Sequence, residues 1–131
     1  MTDGTRLVQQ RMRNRLMDYL ELAGSFDAQR IYDSHHVVNV ANEVINQWED
    51  CVPDAPWEDE SIETSYSWDE IEAMKQFHRA WARAASAVPD GYPDLADAHA
   101  LPEWLELRVQ ARRALAVFLA RGRMPEDHVI S

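Results

Sequence analysis

Apolar and polar positions alternate along this chain with a helical period almost throughout. Between Val8 and Ala23 the residues Val8, Met12, Leu16, Tyr19, Leu20 and Ala23 fall on one face, with Arg11, Asp18 and Glu21 opposite. Gly24 and Ser25 interrupt this stretch, and Ser25 is placed to cap a continuation carrying Phe26, Ala28, Ile31 and Tyr32. Asn39 opens the next helix, where Val40, Val44, Trp48 and Cys51 align and Ala41, Ile45 and Val52 lie beside them. Pro53 and Pro56 end it.

Ser67-Trp68-Asp69-Glu70 has the spacing of a capping box, in which hydroxyl and carboxylate satisfy free amides at a helix start. Ile71, Met74, Phe77, Trp81, Ala84, Ala85 and Val88 follow at helical intervals, up to the turn signal Val88-Pro89-Asp90-Gly91. Asp94 is placed to cap one short turn. The last helix starts at Pro102 and closes at Gly122, with Pro125 behind it. No strand-like alternation, internal repeat or low-complexity tract occurs. The pattern predicts an all-α antiparallel bundle of about four main helices, over residues 5–34 (broken near 24), 39–52, 67–88 and 102–121. A long loop over 53–66 and a short tail over 123–131 complete what reads as one helical domain, 1–131.

Composition narrows the class. With 46% apolar residues the chain has material for a core and is not a disordered sequence. No run of about 18 apolar residues exists to span a membrane. Cys51 is the only cysteine, which excludes an internal disulfide, and its place on an apolar face reads as inert packing. No basic segment leads into an apolar one at the start, so the cytoplasm is the expected location.

Charge changes the picture more. The net charge of −10 argues against direct nucleic-acid binding, and it is unevenly spread. Between Arg30 and Lys75 there are twelve acids and no base, whereas the rest of the chain has eleven acids against thirteen bases. The densest part is the loop, where Asp54, Glu58, Asp59, Glu60 and Glu63 surround Trp57, with Tyr66 and Trp68 just beyond. One reading is a solvated acidic surface, partly neutralised by arginines of the first and last helices. The other is a docking surface for a basic partner, with aromatic anchors and steering carboxylates. The Arg6, Arg11, Arg13 and Arg15 cluster reads as a partner for the acidic segment, since no aromatic interleaves it.

A few residues break the periodicity. In the last helix an apolar stripe of Leu101, Trp104, Leu105, Leu115, Phe118 and Leu119 contains Arg108 and Arg112 one turn apart. Arginines on a core-facing stripe must be paired or reach outward, which points to ion pairs with Glu43, Asp50 or Glu70, or to a clamp for a small anion. His78 lies on the apolar side of the third helix, two turns from Glu70, so an anion pocket of Arg108, Arg112, His78 and Glu70 with acid–base capacity is the alternative site. Of the five histidines only His36 has an acid three residues earlier, Asp33, so no metal site is expected. No Gly-rich phosphate loop or nucleophile elbow is present, and no cofactor is expected.

The sequence thus leads to a non-enzymatic acidic binding module that meets a basic protein surface. Its binding residues are Asp54, Trp57, Glu58, Asp59, Glu60 and Glu63, and a second copy of the chain is a further candidate partner. Small acidic helical proteins that neutralise toxins or occupy nucleic-acid-binding surfaces share this character of charge and fold.

Overall fold

Three helices of this chain begin where a side chain supplies an acceptor for the free amides of a first turn. The computed structural model describes residues 3–35, 38–52, 65–88 and 93–129, which hold six helices. These are α1 (Asp3–Ala23), α2 (Phe26–Asp33), α3 (Val40–Cys51), α4 (Trp68–Ala87), α5 (Leu95–His99) and α6 (Pro102–Leu119). Ser25 accepts from the Ala28 amide and Asn39 from the Asn42 amide, as their positions predict. At α4 the capping box is complete: Ser67 Oγ accepts from the Glu70 amide, and Glu70 returns the bond to the Ser67 amide. Asp94 precedes α5 without making the expected cap bond. Gly122 stops the last helix with φ +76°, a conformation that glycine adopts without steric cost.

Cross-helix contacts fix an up-and-down bundle. Tyr19 Oη of α1 donates to the Val44 carbonyl of α3, and Arg15 lies beside Cys51, so these helices run antiparallel. Trp81 of α4 donates to the Ile45 carbonyl while Phe77 packs on Trp48, which makes α3 and α4 antiparallel. Helix α6 runs against both α1, where Arg112 reaches Gly24 and Arg13 reaches Gly122, and α4, where Arg121 reaches Glu70. Trp48, Phe77, Trp104, Phe118, Leu16 and Leu20 fill the space between them. Tyr19 and Phe77 meet edge to face across the diagonal, with centroids 5.9 Å apart.

The structure rotates two faces relative to the sequence reading. In the first turns of α1, Val8 is 55% exposed, whereas Gln10, Arg13 and Asn14 are buried. Residues after Gly122 cause this, because they fold back onto α1. Asn14 holds the Met124 amide and carbonyl, Gln10 donates to the carbonyls of Pro125 and His128, and Met124 is buried. In α6 the buried stripe is Trp104, Leu107, Ala111, Ala114 and Phe118, while Leu105 and Leu119 face outward. The alanines decide that rotation. Ala80 and Ala84 of α4, with Ala111 and Ala114 of α6, are at most 3% exposed, and small residues in facing positions let two helices approach closely. Trp81 and Leu115, expected in the core beside Trp48 and Phe77, are consequently only half-buried.

Candidate functional site

The loop residues Asp54, Trp57, Glu58, Asp59, Glu60 and Glu63 lie outside the described residues, but both of its ends are visible. On one side Val52 is buried after the exposed pair Glu49 and Asp50. On the other, Ser65 and Tyr66 are buried, and the Tyr66 ring meets Phe118 edge to face. Burial raises the Tyr66 phenol well above its ordinary value, so it is neutral core and not an anchor. Trp68 is different. It stands at the head of α4, 67% exposed, with the Lys75 ammonium 5.9 Å from its ring. Asp69 is exposed beside it, and Glu49, Asp50 and Asp69 make no ion pair among the described residues. Because α3 ends where α4 begins, these carboxylates and Trp68 sit at one end of the bundle.

Glu70 has another role. Its carboxylate is enclosed, with side-chain exposure of 1%, and it is gripped from both flanks. Arg13, wholly buried, donates Nη2 to Oε2 at 2.6 Å and Nε to Oε1 at 3.3 Å. Arg121 approaches from the partly exposed side, with Nε on Oε2 at 3.1 Å and Nη2 on Oε1. Arg13 also caps the end of α6, donating to the carbonyls of Phe118 and Gly122 where the helix dipole favours a cation. Burial raises the Glu70 pKa, and the bonds from Arg121, Arg13 and the Ser67 amide more than offset this, leaving it below the ordinary carboxylate range. One acid of the acidic stretch is therefore neutralised by arginines of the first helix and the end of the last. Arg13 was legible only as one of a cluster, although its spacing to Leu16, Met17 and Leu20 puts it on the face they bury.

The four residues of the anion pocket are engaged separately. Arg108 and Arg112 form no ion pair with Glu43, Asp50 or Glu70, because they lie at the edge of the buried stripe, against the corner between α1 and α2. Arg108 lies over the Phe26 ring at 4.5 Å, and Arg112 Nε donates to the Gly24 carbonyl at 2.7 Å. Gly24 allows that approach, since a Cβ there would stand 3.1 Å from Arg112 Cγ. His78 Nδ1 accepts the Trp48 indole N–H at 3.0 Å, and burial lowers its pKa, so it serves α3–α4 packing as a neutral ring.

A second histidine was not singled out by the sequence. His99 stacks on Phe26 with centroids 3.7 Å apart and pairs through Nε2 with Gln29 Oε1 at 2.7 Å. Burial, with Arg30 and Arg108 nearby and Asp33 opposing them, pushes its pKa down to about 4. The unfolded chain takes up that proton near 6.5 and the folded protein only near 4, so stability falls as pH drops through this window. His99→Phe keeps the stack and removes the titrating group. Its stability should decline less than that of the wild type between pH 6.5 and 4 in urea titrations, and an unchanged pH slope would refute the assignment.

Among the described residues no group of three or more His, Cys, Asp or Glu is placed to hold a metal, and His36 lies outside them. No helix among them is long and apolar enough to cross a membrane. Burial and Asp50 push the Cys51 thiol up to about 11, which leaves it protonated and unreactive near neutral pH. Comparison with known proteins finds no matching family model, no matching curated protein and no matching solved structure.

Proposed function

We propose that this protein is a non-enzymatic acidic module that binds a basic protein surface at the end of the bundle where α3 stops and α4 starts. The observation that carries this reading is Trp68. A tryptophan 67% exposed at a helix head, with Glu49, Asp50 and Asp69 at the same end making no ion pair among the described residues, has the composition of an anchor inside a steering field. From the sequence, Asp54, Trp57, Glu58, Asp59, Glu60 and Glu63 are the further binding residues of this reading, since they lie in the chain between α3 and α4. Arg108, Arg112, His78 and Glu70 are engaged separately, on Phe26, Gly24, Trp48 and Arg13, so they do not converge on one anion pocket, although Arg108 Nε is buried with no hydrogen-bond partner among the described residues.

Recovery of bound proteins from a native extract at low and high salt, followed by kinetics with the purified partner, tests this. Glu58→Gln, Asp59→Asn and Glu60→Gln together should slow association, with a loss that shrinks as salt rises, and should leave stability unchanged or slightly higher. Trp68→Ala should speed dissociation at every salt concentration, by about tenfold or more if it is an anchor. A partner whose binding neither change affects would refute the surface, and the absence of any salt-sensitive basic partner would refute the function.

A further inference from the structure

The outward face of α6 is independent of that end of the bundle. Leu105, Val109, Ala116 and Leu119 recur along it at spacings of four, seven and three residues, with Arg112 completing the heptad pattern. Leu105 is 41% exposed, Val109 36% and Leu119 53%, so apolar side chains stand uncovered on both sides of Arg112, which is itself held by the Gly24 carbonyl. Charges beside it are arranged by position. Glu103 and Glu106 lie in the first half of the helix, whereas Arg112 and Arg113 lie in the second. Glu106 is met only by Gln110 of its own helix, and Arg113 makes no ion pair among the described residues.

Arg108, also in the first half, is turned onto the Phe26 ring, so along the flank that holds Glu106 and Arg113 acid precedes base; such a flank is complementary to an antiparallel copy of itself, as a two-fold dimer requires. We propose that the outward face of α6 binds the same face of a second copy, antiparallel, with the two-fold axis near Val109. Glu106 then faces Arg113 of the second copy on both sides of the axis, in the flanking positions that set orientation in helix pairs. Leu105 meets Ala116 of the second copy on both sides of the axis, while Arg112 stays on the Gly24 carbonyl of its own chain. The net charge of −10 repels two copies wherever acids dominate, but α6 carries three arginines against two glutamates. A four-turn helix contact buries a small area, so the association is weak and concentration-dependent.

Sedimentation equilibrium of the full chain, from about 10 µM to 1 mM, tests this at the affinities expected of a small interface. Glu106→Arg alone and Arg113→Glu alone each turn two attractive pairs into two repulsive ones, and each should weaken dimerisation about tenfold or more. The double variant Glu106→Arg/Arg113→Glu restores the complementarity in reverse and should recover wild-type association. Val109→Asp should abolish it, and circular dichroism should show all four variants folded, because the altered side chains lie on the helix's outer side. A wild type that stays monomeric throughout, or singles that dimerise as well as wild type, or a double that recovers nothing, overturns the proposal. None of these outcomes bears on the basic partner, which is assayed at the other surface.

Discussion

Glu70→Gln should destabilise the protein by about 3–5 kcal/mol in urea or guanidinium unfolding, the usual cost of removing one partner from a buried ion pair. Glu70 is the only carboxylate that meets Arg13 among the described residues, and Arg13 has no exposed side-chain surface. The glutamine keeps the shape and strands the guanidinium. Arg121 suffers less, because its side chain is 41% exposed and water can take over. Arg13→Met should cost less than Glu70→Gln, because Arg121 and the Ser67 amide still hold the carboxylate, and the two changes together should cost less than their sum. Additive losses below about 1 kcal/mol each would mean that the pair is not coupled. The pH dependence has a definite sign. Since the folded-state pKa of Glu70 is depressed, its contribution is complete above the unfolded value of 4.5 and is lost as pH falls through the folded one. Glu70→Gln should therefore flatten the acid limb of the stability curve.

Trp48→Ala is the second large effect, expected at about 3–5 kcal/mol for a large aromatic side chain deleted from a packed core. The indole is 1% exposed, lies 4.6 Å from the Phe77 centroid and 5.9 Å from that of Tyr19, and donates to His78. Truncation opens a cavity where α1, α3 and α4 meet and leaves His78 Nδ1 without its donor. Trp81→Ala should cost clearly less, although its periodicity reads equally apolar, because that ring is only half-buried, held by its bond to the Ile45 carbonyl and its stack on His78. Equal losses for the two tryptophans in denaturant titrations would show that the α3–α4 seam buries Trp81 more deeply than its exposure indicates.

What could be read from the chain alone was local. Ser25, Asn39 and Ser67 are caps whose function depends only on neighbours two or three residues away, and the helix starts follow them. The period of the apolar residues established an all-helical bundle, and the missing bases between Arg30 and Lys75 established where acid accumulates. Which side of a helix faces inward was another matter. In α6, Leu105 and Leu119 outweigh two alanines on any hydrophobicity count, yet the alanines are inside because α4 presents alanines of its own. A hydrophobic pattern measures preference for burial, whereas helix packing rewards complementary shape between elements far apart in sequence. The same separation hid the buried polar groups. Arg13, Glu70 and Arg121 span the chain from its first helix to just beyond its last, and a buried charge is tolerated only when folding brings its partners to it. Tertiary structure therefore chose Arg13 over Arg108 and Arg112 for the interior, assigned Tyr66 to the core and left Trp68 at the surface, because each outcome depends on what arrives opposite.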